Sequence, residues 1–233
     1  MNTPAETSDF ETVVVTGCRS LAKDIFEISL QKKDQSLFSF DPGQYAFLQF
    51  GEHDVRPYSI ASSPEMDTIQ FHVKDMGHGL SHALSQLSDG TEVLIDYPHG
   101  SATYQKNDRP ILAIGGGLGL APLIPIIRAA LQNNPDHHIH LYHGAEEKDD
   151  LYLHAPLTQL ADHYDNFAYT AVTEIPSNIG ETGIVGQVAT RSSGDLSGFD
   201  AYISGAPAMV VHTAEHLEEK GLKREHIFTD APL

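Results

Sequence analysis

Ile111-Leu112-Ala113-Ile114-Gly115-Gly116-Gly117-Leu118-Gly119-Leu120-Ala121-Pro122 is the stretch on which the fold turns. Four consecutive apolar residues fit a strand buried on both faces, and the glycines fit a tight turn. From Leu120 to Leu131, Leu123, Ile126, Ile127 and Ala130 recur at helical spacing. A strand that passes through glycine into a helix gathers free backbone N–H groups and the helix dipole at one point, which suits an anion. That context turns a glycine string from a weak signal into a useful one.

Toward the C-terminus, 139–143, 167–172 and 200–204 read as further strands, 153–163 as a helix, and 207–219 as a helix that begins just after Ala206. Strand and helix in alternation predict a parallel sheet covered on both faces. Toward the N-terminus the signal changes to short, closely spaced β runs at 12–16, 25–30, 44–50, 68–74 and 91–96, with Phe71 and Val73 pointing inward. Such spacing predicts an antiparallel barrel, which 91–96 is expected to close. Residues 79–87 read as one short helix begun near Ser81. The turn-rich Tyr97-Pro98-His99-Gly100 and Asn107-Asp108-Arg109-Pro110 mark a linker, dividing the chain into a β-barrel domain, 1–105, and an α/β domain, 106–233.

Lys and Arg number 14 against 32 Asp and Glu, a formal charge of -18, which argues against a nucleic-acid footprint or an anionic membrane surface. An acidic face for a basic electron-transfer partner and plain solubility both fit that charge. The single cysteine, Cys18, cannot make an internal disulfide or supply the roughly four thiolates of an iron–sulfur cluster, so no ferredoxin module is expected here. Residues 1–9 lack the features of a signal peptide, and no apolar stretch reaches about eighteen residues, so a soluble cytoplasmic protein is expected. His137, His138 and His140, and the pairs His78/His82 and His212/His216, have spacings a metal could use. No cysteine or carboxylate set completes them, and no metal is expected.

Arg56-Pro57-Tyr58-Ser59 packs a fixed cation, a kink, a phenol and a hydroxyl into four residues. A planar ring with N and O edges and a negative tail needs that mix. A second turn, with Gly77, Gly79, Leu80 and Ser81, follows, and then the 115–122 stretch. In this order the three resemble the ferredoxin-NADP reductase superfamily, and within it the short bacterial NAD(P)H-flavin reductases and the flavin modules of oxygenase reductases. The resemblance runs from about Phe10 to the C-terminus.

It implies FAD, or FMN, on the barrel, with Tyr58 against the isoalloxazine, Ser59 near N5 and Arg56 at the flavin phosphate. His72, Val73 and Lys74 lie where such proteins offer backbone contacts to the flavin or its ribityl chain, and the 77–81 turn where FAD-retaining members cradle the pyrophosphate. Gly116, Gly117, Gly119, Leu120, Ala121 and Pro122 match the element that receives the nicotinamide nucleotide's pyrophosphate, with Leu118 where Thr is usual. Ser204, Gly205, Pro207 and Met209 match a C-G-P-P-x-M box in which Ser204 replaces Cys and Ala206 replaces Pro. The tail 228–233 resembles the segment beside the flavin, with Pro232 where an aromatic is often found.

Glu146 and Glu147, at the end of the second parallel strand, can accept from ribose hydroxyls and would repel a 2′-phosphate, favouring NADH over NADPH. The reading is an NAD(P)H-dependent flavin oxidoreductase in which a hydride passes from nicotinamide to flavin N5, with Ser59 as the catalytic residue. The alternatives are an FAD-retaining reductase that passes electrons to an oxygenase or ferredoxin partner, and a non-catalytic nucleotide-binding subunit.

Overall fold

The computed structural model describes residues 9–191 and 194–230, so the N-terminal stretch 1–8 and the tail residues Ala231, Pro232 and Leu233 lie outside the described residues. Six strands form the first sheet: β1 (Glu11–Ala22), β2 (Ile25–Lys32), β3 (Tyr45–Gln49), β4 (Arg56–Ser59), β5 (Ile69–Lys74) and β6 (Glu92–His99), with α1 (Gly79–Ser85) between β5 and β6. Their order is β4-β3-β6-β1-β2-β5, and every pairing is antiparallel. The open ends meet where Ile60, just past β4, bridges Phe71 of β5, and the Ala61 N–H donates to the Gln70 carbonyl at 2.8 Å.

Residues 91–96, expected to close the barrel, therefore do not. They belong to β6, which lies between β3 and β1, and closure falls to the Ile60–Phe71 seam. Tyr97, Pro98 and His99, assigned to the linker by their turn-like composition, continue β6 because His99 pairs with Tyr45 of β3. The connection begins at Gly100. β1 runs past the β-branched 12–16 core because bulges between Val15 and Gly17 and between Ser20 and Ala22 carry it through residues that break alternation. α1 begins at Gly79, not near Ser81. Phe71 and Val73 are fully buried, as their alternation predicts, among Val13, Ile28, Leu30 and Ile95.

The second sheet holds β7 (Ile111–Gly116), β8 (Ile139–Ala145), β9 (Phe167–Thr173), β10 (Glu181–Thr182), β11 (Asp200–Ser204) and β12 (Ile227–Phe228). It is parallel throughout, in the order β10-β9-β8-β7-β11-β12. Helices α2 (Leu120–Asn133), α3 (His154–His163), α4 (Val185–Arg191) and α5 (Pro207–Glu219) cover it. On α2 the predicted face holds: Leu123, Ile126, Ile127 and Ala130 are at most 3% exposed. β10, β12 and α4 were not foreseen. The strands are two residues long, and α4 carries Gly186 and β-branched valines, poor helix formers. Gly186 is there for packing, since a Cβ would strike the Thr213 side chain of α5.

The strand order reverses between β7 and β11, and a sheet of this kind opens a crevice at the carboxyl ends of the strands where it does so. Ile25 of the barrel packs into the same apolar cluster as Ile111, Leu123, Tyr152 and Tyr202, so the two domains share an interface. No helix among the described residues is long and apolar enough to cross a membrane.

Candidate active site

A cleft of about 790 Å³ lies at the reversal point. Its floor is Gly116, Gly117 and Gly144 at the ends of β7 and β8; Met209, His212 and His216 of α5 form one wall, and Glu146, Asp150 and Glu174 the acidic other. Lys74, at the end of barrel strand β5, reaches it from the opposite domain. Lys74, expected to offer backbone to the flavin, is also the only Lys or Arg among the residues that line this cleft.

The glycines are there for geometry. Gly117 has φ +54, a conformation that L side chains rarely adopt, and nothing lies within 4 Å of where its Cβ would stand, so bare backbone faces the cleft. At Gly119 a Cβ would collide with the Ser204 carbonyl, so this glycine lets the β7 and β11 loops touch. Met209 lies over Gly116 and Gly205, and Pro207 sits at the first turn of α5. These residues fit a pyrophosphate: open backbone ahead of the 14-residue α2, with one cation opposite. Leu120, Ala121 and Pro122 are buried in the first turn of α2, so they shape the turn from behind.

The Arg56–Ser59 box lies apart from this cleft, on β4. Ser59 pairs with Tyr45, whose ring stacks on His99 with centroids 5.7 Å apart. Tyr58 is half-buried against the barrel core, and burial pushes its hydroxyl up to about 12, keeping it a proton-bearing donor at neutral pH. The Arg56 guanidinium is exposed and held by Asp54 at 3.0 Å. An exposed pair of this kind is worth about 0–1 kcal/mol, so a phosphate can displace Asp54. Next to the box, Asp230 accepts from the Ser101 and Ala102 N–H groups, and burial raises its carboxyl. Asp230 belongs to the tail expected beside the flavin, although its carboxylate was not singled out in the sequence.

The alternation of an antiparallel pair sends Ile60 and Phe71 into the barrel core and puts Ser59, one residue before, and His72, one after, on the other face. His72 and Val73 are buried, so their side chains face packing partners. The 77–81 turn differs from the 115–122 turn. The Gly77 N–H donates to Asp75 Oδ1 at 2.7 Å, and Ser81 does not cap α1, whose cap is His78 without a side-chain bond. Leu80 is buried against the barrel core.

Residues 10–103 match the FAD-binding domain family and 113–215 the oxidoreductase NAD-binding domain family. The chain is 37% identical over 199 residues to the naphthalene 1,2-dioxygenase system ferredoxin--NAD(P)(+) reductase component of Pseudomonas putida, a match covering 83% of this chain and 61% of that one. It is 32% identical over 230 residues to the NAD(P)H-flavin reductase of Vibrio harveyi, covering 93% of this chain and 96% of that one. Among solved structures, the ferredoxin reductase in carbazole 1,9a-dioxygenase superposes with a TM-score of 0.84 at 25% identity, over 98% of this chain and 70% of that one. The chain thus spans about three fifths of the oxygenase reductase component and nearly the whole of the flavin reductase. With both halves matched and a relative above 30% identity aligned almost end to end, the chain belongs to the ferredoxin-NADP reductase superfamily.

Proposed function

We propose that the chain is an NADH-dependent flavin oxidoreductase of the cytoplasm, divided at 105/106 into a flavin domain and a nicotinamide-nucleotide domain. The observation that carries this reading is the cleft at the strand reversal, where the glycine backbone of one domain faces Lys74 of the other. Bound flavin supplies the hydride acceptor and NADH the donor. The chain supplies placement: Gly116, Gly117 and Lys74 hold the pyrophosphate, Glu146 takes the adenosine ribose, Arg56 the flavin phosphate, and Tyr58 the ring face. Ser59 offers a hydroxyl to the reacting edge. The acidic wall of Glu146, Asp150 and Glu174 disfavours a 2′-phosphate.

Purified protein mixed with FAD should oxidise NADH in a flavin-dependent way, seen as loss of NADH absorbance. No oxidation with FAD, FMN or riboflavin overturns the reading and favours a non-catalytic subunit. A second reading, an FAD-retaining reductase with an oxygenase or ferredoxin partner, is supported by the 37% identity to an oxygenase reductase component. A stoichiometric yellow spectrum after purification selects it; a colourless protein selects flavin as a released substrate.

A further inference from the structure

A buried path of side chains crosses the domain boundary from the barrel to the glycine turn. On the barrel, Arg19 Nε and Nη2 donate to Glu27 Oε1 and Oε2 at 2.7 and 2.9 Å. Glu27 Oε2 lies 3.7 Å from His72 Nε2. Burial raises the Glu27 carboxyl, but His72 and Arg19 more than offset it and hold it at about 2. His72 Nδ1 is 3.1 Å from the hydroxyl of Tyr152, eighty positions along the chain and in the other domain. Burial pushes the Tyr152 phenol well above its ordinary value, so it keeps its proton, and one hydrogen bond between this hydroxyl and His72 Nδ1 ties the two domains together.

The path continues behind Tyr152. The His143 ring meets the Tyr152 ring edge to face, with centroids 5.5 Å apart and planes at 88°. His143 Nε2 lies 3.3 Å from the Gly117 carbonyl. A carbonyl only accepts, so Nε2 carries the hydrogen, and burial lowers the imidazole to about 4, keeping it neutral. Its Nδ1 is buried with no partner among the described residues. Leu153, which follows Tyr152, has φ +58, unusual for a leucine, and marks the bend by which the chain turns away after placing the phenol.

The end point gives the path its meaning. In a trans peptide the carbonyl and the next N–H point opposite ways, so a Gly117 carbonyl held inward by His143 turns the Leu118 N–H away from the core. His72, at the other end, flanks the Ile60–Phe71 bridge on the same face as Ser59. We propose that His143, Tyr152 and His72 are positioning residues, a cross-domain strut that holds the Gly117–Leu118 peptide in register with the barrel face carrying Ser59. On the flavin oxidoreductase reading, the strut sets how the nicotinamide approaches the flavin without touching either.

The test uses the full chain loaded with FAD, and three variants. Tyr152→Phe keeps the ring and removes the O–H; His143→Leu removes the donor; His143→Gln keeps an N–H that can reach the Gly117 carbonyl. Without nucleotide, hydrogen exchange of the 115–120 amides should rise about tenfold in Tyr152→Phe and His143→Leu and stay near wild type in His143→Gln. At saturating NADH, the limiting rate of flavin reduction should fall about tenfold in the first two, with NADH affinity within about threefold, because misplacement alters geometry more than binding. His143→Gln should recover most of that rate.

Exchange and rate within twofold of wild type in Tyr152→Phe overturn the strut, as does a His143→Gln variant as impaired as His143→Leu. If His143→Leu does not fold, Tyr152→Phe, which leaves the packing intact, decides alone. A wild-type protein that NADH fails to reduce brings down the functional reading instead, and with it the catalytic role given to the strut.

Discussion

The 77–81 and 115–122 glycine turns both lead into helices, and as sequences they look alike. The 115–122 turn leaves β7, a strand hydrogen-bonded on both sides, and enters the 14-residue α2; its backbone lines an open cleft. The 77–81 turn leaves barrel strand β5 and enters the seven-residue α1. Its own chain already supplies an anion, because the Asp75 carboxylate accepts from Gly77 N–H, Ser85 Oγ and the His82 ring. Those contacts hold the Asp75 carboxyl below its ordinary value, Gly77 contributing most. The difference teaches that glycine before a helix makes a turn, while an anion site also needs donors that nothing else has claimed.

Substitutions can break that comparison. Gly119→Ala drives a methyl into the Ser204 carbonyl, and should lower NADH-dependent flavin reduction by more than about a hundredfold while costing about 1–3 kcal/mol of stability. Gly79→Ala, at φ +66 but with open space around it, should cost only about 1 kcal/mol in a urea titration. Equal losses at the two glycines would erase the distinction. On the barrel side, Ser59→Ala should slow flavin reduction about tenfold in stopped flow with NADH affinity unchanged; an unaltered rate removes Ser59 from the chemistry.

Smaller effects sharpen the contrast. Glu146→Gln should shift the NADH over NADPH ratio of kcat/KM toward NADPH by roughly fivefold, the size of one partly screened charge. A ratio that does not move assigns specificity to Asp150 and Glu174. Asp75→Asn should tighten FAD binding two- to threefold, about half a kcal/mol, if the flavin pyrophosphate uses the 77–81 turn. A lower melting temperature with FAD affinity unchanged would make that turn purely structural.

The parallel sheet was legible because 111–114 is a continuous apolar run ending in glycine and strand-like and helix-like stretches alternate after it, and the face of α2 because Leu123, Ile126 and Ile127 keep helical spacing. The barrel strands were legible, but not their order. That β6 lies inside the sheet depends on its pairing with Tyr45 and Val13, partners far away along the chain, and nothing in 92–99 announces it. The glycine floor of the cleft could be read from 115–119, and Lys74 was named for the flavin side, but its place on this cleft depends on how the fold brings the two domains together. The link between His72 and Tyr152 is harder still. Each looks like an ordinary core residue until two domains bring them to 3.1 Å.

β4 has β3 along one flank and, along the other, only the single bridge that follows it at Ile60. An unzipped margin of backbone usually invites another chain to add itself and start a fibril. This one is four residues long, begins with a charged arginine and has a proline that can donate nothing, all devices that discourage self-association. A flat aromatic guest is not deterred by them, so features that discourage a second copy of the protein would still admit the flavin proposed above.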